Sequence, residues 1–185
     1  MTTPGFTSLD QYRDVESINH FHILRDRGLH EDSAYDILRV HSRDNSRTPM
    51  QWDGTEKAGF TQGTPWIEIT PNHTKINAAS QVDDPDSIFA HYQKLIALRK
   101  QYDVIAYGDF QPLDAENPTI LAYMRQWKGE QLVVINNFYR KPTEWACPVD
   151  LTGFTCLLSN YADPSIGSKL HLRPYESLVL YRKAE

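Results

Sequence analysis

Apolar residues recur every three or four places at the start of the chain, at Tyr12, Val15, Ile18, Phe21 and Leu24, with Gly28 beyond them. That spacing predicts a helix capped by Ser8 or Asp10 and running through about Asp26. Ala34, Ile37, Leu38 and Val40 give a second, shorter apolar face, and Glu31 and Asp32 suit its positive end. From Asp44 to about Ser80 no period persists. Pro49, Gly54, Gly59, Gly63, Pro65 and Pro71 punctuate this stretch, which reads as a long loop. A structureless loop of such length is unusual in a self-contained domain. A third helix begins near Pro85-Asp86-Ser87. Its stripe is Ile88, Tyr92, Leu95, Ile96 and Arg99, widened by Phe89 and Leu98.

After Tyr102 the period shortens to two. Strands are predicted at Ala106–Leu113, Ile120–Trp127, Gln131–Asn137, Thr143–Ala146, Phe154–Ser159 and Ser177–Tyr181. Lys128-Gly129-Glu130 is the turn of a hairpin between the second and third. Short antiparallel strands without intervening helices imply a β-sandwich. The chain therefore divides near residue 104. Residues 1–103 are helices and loop without a sheet to cover, and residues 104–185 form a small β domain. Amphipathic helices need an apolar partner surface, so Ile88, Phe89, Leu95 and Leu98 point to a missing partner and a truncated first domain.

Composition narrows the function classes only a little. Hydrophobic residues make up 40% and charged residues 23% of 185, as in ordinary globular chains. A net charge of −5, with no basic stripe, argues against nucleic acid or an acidic membrane as partner. No apolar run approaches the roughly 20 residues that span a bilayer. The residues after Met1 lack the basic and apolar regions of a signal peptide, so a cytoplasmic location is expected. Cys147 and Cys156 lack metal-type spacing and are expected to be reduced thiols in strands. His20 and His22 do not share a helical face, and no zinc site or other cofactor is expected. Asp14 and Glu16, two apart on a helix, diverge and do not form a catalytic pair.

The candidate chemistry lies in Ser42-Arg43-Asp44-Asn45-Ser46-Arg47-Thr48-Pro49-Met50-Gln51-Trp52-Asp53, with Trp66 nearby. Guanidinium forks suit sugar hydroxyls and indoles suit pyranose faces, although large aromatics in a Pro-rich loop more often pack it down. From residue type alone, Arg47 is a loop arginine held by Asp44 or Asp53.

This segment closely resembles one in the α-glucosidase branch of the α-amylase superfamily of glycoside hydrolases. Tyr12-Arg13-Asp14-Val15-Glu16-Ser17, the helix segment Lys94–Lys100 and Leu172-Arg173-Pro174-Tyr175-Glu176-Ser177 match further parts of that pattern in order. The resemblance covers essentially the whole chain. It implies the C-terminal end of a (β/α)₈ barrel, residues 1–103, followed by an antiparallel β-sandwich C domain, residues 104–185, with Met1 near the close of the last barrel strand. Arg47 matches an arginine that contacts the sugar at the cleavage point, and Arg43 a neighbour in the loop's own architecture or at the pocket rim. Both are the expected substrate-binding residues.

The family's catalytic carboxylates precede the last barrel strand, so none is expected here, and the chain alone should be inactive. The last helix and Gln126-Trp127-Lys128-Gly129 are most similar to trehalose-6-phosphate hydrolases, with oligo-1,6-glucosidases as the alternative. A stand-alone carbohydrate-binding or interaction module is the reading from a different class. The implied partners are a sugar substrate and the missing N-terminal barrel portion, and self-association of the fragment is a further expectation.

Overall fold

A computed structural model describes residues 4–183; Met1, with the expectation attached to it, lies outside these. The chain forms two compact units, Met1–Gln93 and Lys94–Glu185. The helix Ile88–Gln101 (α4) passes through their boundary.

In the first unit, helix α1 spans Val15–Asp26 and α2 spans Glu31–His41. They pack through Phe21 and Leu24 on one and Ala34, Tyr35 and Leu38 on the other. Phe6, Tyr12 and Ile67 complete this core. The buried face of α1 is Ser17, Phe21 and Leu24, whereas Val15, expected inside, is exposed. The helix also starts later than the apolar spacing predicts. Leu9–Gln11 make a single 3₁₀ turn, and Tyr12 to Asp14 then run extended. The reason is tertiary: the N–H groups of Arg13 and Asp14 are claimed by Asp44, about thirty residues away.

The expected loop is irregular but pinned. Arg43–Ser46 and Pro71–Thr74 are 3₁₀ turns, and Ala79–Val82 is one helical turn (α3). Buried Gln51 donates to Asn72 Oδ1 at 3.1 Å and Ile76 O at 2.7 Å. Ala78 N–H donates to Gln51 O, and Ala79 N–H to Trp52 O. These bonds satisfy backbone polar groups that a loop would otherwise leave to water. Helix α4 begins at Ile88 rather than at Pro85, because Ser87 Oγ accepts the N–H of Ala90 as its cap. Only Ala90 of α4 is buried. Ile88, Tyr92 and Ile96, one stripe at four-residue spacing, stand 73%, 63% and 52% exposed.

In the second unit, strands β1 (Gln111–Leu113), β2 (Ile120–Trp127), β3 (Glu130–Asn137), β4 (Thr143–Ala146), β5 (Thr155–Ser159), β6 (Lys169–Leu172) and β7 (Ser177–Lys183) form two antiparallel sheets. One has the order β1-β2-β3-β7-β5; the other is β4-β6. Val133, Ile135, Leu178 and Leu180 from the first meet Trp145, Leu170 and Leu172 from the second in one core. The hairpin β2–β3 pairs Trp127 with Glu130 across Lys128 (φ 44°) and Gly129 (φ 81°). Two left-handed residues give the turn a twist that matches its strands.

Three expectations need correction here. The stretch Ala106–Leu113 is not one strand: Asp103–Tyr107 is a short helix (α5), and only Gln111–Leu113 pair. Helix α5 buries Val104 with Leu132, Val134 and Val179 on the outer face of the large sheet. Its carbonyl end is held by Arg125, which bonds the carbonyls of Ile105, Gly108 and Asp109. Because of this second layer β3 is apolar on both faces, which explains its run Leu132-Val133-Val134-Ile135. Strand β6 was not foreseen. Cys147 follows β4 rather than lying in it, while Cys156 is in β5 as expected. Both are half-buried free thiols against the core, and burial pushes both thiols up in pKa.

Candidate sugar-facing arginine loop

Arg43 and Arg47 sit at opposite ends of one 3₁₀ turn. Ser42 Oγ accepts the N–H of Asp44 at 3.2 Å and starts that turn. The N–H of Arg47 donates to Asp44 O at 3.0 Å and closes it. Arg43 Nη2 pairs with Glu16 Oε2, an exposed contact between the loop and α1. Arg47 Nη1 lies 3.7 Å from Asp44 Oδ1, and its side chain is 40% exposed. Of the two carboxylates weighed as holders of Arg47, the structure places Asp44 beside it. The rest of the guanidinium has donors to offer outward.

Asp44 itself is fully buried. Its Oδ2 accepts the N–H of Arg13 at 2.6 Å and of Asp14 at 2.9 Å. Its Oδ1 has no hydrogen-bond partner among the described residues. Asp14 answers from the other side. Burial pushes its carboxyl up, but the Ser17 hydroxyl at 2.7 Å and the N–H groups of Arg43, Glu16 and Ser17 turned toward it prevail, and its pKa lies below the ordinary value. Two aspartates thus brace two segments against each other, Asp44 receiving two backbone N–H groups from the far side and Asp14 facing one. The hydroxyls of Tyr12 and Thr48 are likewise buried without a partner among the described residues. Burial raises the pKa of Tyr12; Arg39 opposes the rise, and Tyr35 and Asp44 add to it.

A concavity of about 270 Å³ opens beside this brace, lined by Glu16, His20, His41, Ser42 and Arg43 among others. Arg43 faces it and Arg47 does not. Trp52 and Trp66, expected to pack the loop down, instead stand 53% and 63% exposed in this chain. The backbone and Gln51 bonds already pin the loop without them. The carbonyl of Trp66 accepts from Arg13 Nε at 3.3 Å. Sequence reasoning set Asp14 aside and treated Asp44 as a mere partner for Arg47. Its burial and its bonds to residues 13 and 14 leave no local signature in the sequence. Among the described residues, no group of three His, Cys, Asp or Glu is placed to hold a metal ion, and no helix is long and apolar enough to cross a membrane.

Residues 7–108 match the family model for the alpha amylase catalytic domain, and residues 110–179 that for the maltogenic amylase C-terminal domain. The oligo-1,6-glucosidase of Halalkalibacterium halodurans is 42% identical over 100% of the chain and 34% of its own length. The trehalose-6-phosphate hydrolase of Bacillus subtilis is 44% identical over 97% of the chain and 33% of its length. The crystal structure of Bacillus licheniformis trehalose-6-phosphate hydrolase superposes with a TM-score of 0.91 at 46% identity, covering 98% of this chain and 34% of that one. The chain thus spans about a third of the length of the relatives it matches.

Proposed function

The chain belongs to the α-amylase family, and from that premise we propose that it forms the C-terminal third of a retaining α-glucoside hydrolase, with trehalose 6-phosphate as substrate and glucose and glucose 6-phosphate as products. Similarity to trehalose-6-phosphate hydrolases at 44% and 46% identity supports this substrate. Hydrolysis of isomalto-oligosaccharides is the second reading, favoured by 42% identity to an oligo-1,6-glucosidase over the whole chain. Residues 1–103 are read as the end of the barrel domain and 104–185 as the C domain, in keeping with the two family matches. The enzyme is read as cytoplasmic.

Retention requires a carboxylate nucleophile and an acid/base carboxyl about 5–5.5 Å apart. On this reading both come from the part of the barrel that precedes this chain. What this chain supplies is one wall of the pocket. Arg47 presents a guanidinium fork to two hydroxyls of the bound glucosyl unit. Arg43, paired with Glu16, shapes the rim. The observation that carries the proposal is that Arg47 is anchored at Asp44 on one side and open on the other.

The test is Arg47→Ala in the longer enzyme carrying this chain. Losing a charged substrate partner should lower kcat/KM by about 10²-fold. Arg47→Lys should recover only part, since an ammonium cannot make the fork. An Arg47→Ala enzyme within about threefold of wild type removes Arg47 from the pocket.

A further inference from the structure

We infer that Asp44 is the positioning residue of Arg47: a buried carboxylate that divides its two oxygens between fixing the backbone at Arg13-Asp14 and aiming the guanidinium at the substrate. The inference rests on the reading of Arg47 as a sugar-binding residue.

The division of labour is visible atom by atom. Oδ2 is fully engaged by two backbone N–H groups at 2.6 and 2.9 Å. Oδ1 is buried, has no hydrogen-bond partner among the described residues and lies 3.7 Å from Arg47 Nη1. A buried anion with an unengaged oxygen is costly unless a cation neutralises it. Arg47 is the cation that ion-pairs with it. At 3.7 Å the pair is an electrostatic contact rather than a formed hydrogen bond, so it holds the guanidinium to one side without using up its donors. The reach of Arg47 is also fixed through the main chain, because its N–H bonds the carbonyl of the same Asp44.

Asp44 cannot itself move, since it is locked to the entry of α1. There Asp14 returns the brace, with Ser17 Oγ at 2.7 Å and the N–H of Arg43 turned toward its carboxylate. Arg43 is in turn paired with Glu16. The line from the helix to the guanidinium therefore runs through one side chain. Aiming a donor in advance spares the ordering that substrate binding would otherwise have to supply.

Asp44→Asn in the longer enzyme tests this, because an amide keeps an oxygen for Arg13 and Asp14 but loses the charge facing Arg47. The expected result is a fall in kcat/KM of about tenfold or more, borne more by kcat than by KM. In an Arg47→Ala background Asp44→Asn should add less than about threefold, because the two residues act as one unit. Asp44→Asn that is silent, or that adds its full loss to Arg47→Ala, overturns the inference. A silent Arg47→Ala instead defeats the substrate-binding reading.

A further readout is independent of activity and of whether any variant folds. In the unmodified enzyme, nitrogen-15 NMR of Arg47 should show guanidinium rotation slowed relative to exposed arginines. A freely averaging Arg47 signal overturns the inference.

Discussion

The stripe Ile88, Tyr92 and Ile96 on α4 permits a differential test of the reading that this chain belongs against more protein. Complete burial of an isoleucine side chain is worth about 1.5–3 kcal/mol. Ile88 is 73% exposed and Ile96 52% exposed, so in this chain Ile88 realises about a quarter of that value and Ile96 about half. Replacing both with glutamine, which is helix-compatible, should therefore cost the 185-residue chain about 1–2 kcal/mol. In the longer enzyme, where the proposed barrel covers this face, the same pair should cost about 4 kcal/mol or more, since two amides would be buried without partners. Urea denaturation of both lengths, with and without the substitutions, measures the difference. Sedimentation of the 185-residue chain should also show concentration-dependent association that the double substitution reduces. Equal destabilisation at both lengths, or a loss above about 3 kcal/mol in the short chain, would refute the reasoning.

Two further outcomes concern the second unit. Glu176 is buried and accepts the N–H of Arg173 at 2.7 Å and its guanidinium at 3.0 and 2.6 Å, and these bonds hold its pKa below the ordinary 4.5 against the cost of burial. Its stabilisation is thus present above the unfolded value and lost as pH falls through the lower folded value; thermal melts should show that loss in the wild type and a weaker one in Glu176→Gln. At Gly108 an added Cβ would lie 2.5 Å from Val104 O and 3.2 Å from Arg125 Cβ. Gly108→Ala should destabilise by about 1–3 kcal/mol in chemical denaturation through displacement of α5, and an unchanged midpoint would contradict that placement.

The elements legible in the sequence are those whose stabilisation is local. The hairpin β2–β3 needs only alternation and Gly129, and α2 and α4 need only their spacing. The start of α1 was misplaced because Asp44, far along the chain, takes the N–H groups that a helix from Ser8 would have used. Helix α5 was missed, and its last two residues, Ala106 and Tyr107, were read as strand, because five residues carry too little period; Val104 burial and Arg125 make it a helix, and both are tertiary. Strand β6 has alternating Leu170 and Leu172, but its four residues, Lys169–Leu172, gave too little pattern to register. For the candidate site, Arg43 and Arg47 are proposed through resemblance to a family motif. Nothing local distinguishes Asp44 from any loop aspartate until its burial is seen.

The mutual brace of Asp14 and Asp44 has a consequence for how such an enzyme could be divided. Every bond that aims Arg47 is made within residues 12–47: the Asp44 carboxylate, the N–H groups of Arg13 and Asp14, and the turn from Ser42. If Arg47 lines the pocket as proposed, that part of the wall is specified by one stretch of this chain. A separately made barrel piece would meet a wall already set, so reassembly from two polypeptides would have to create an interface but would not have to build the arginine site.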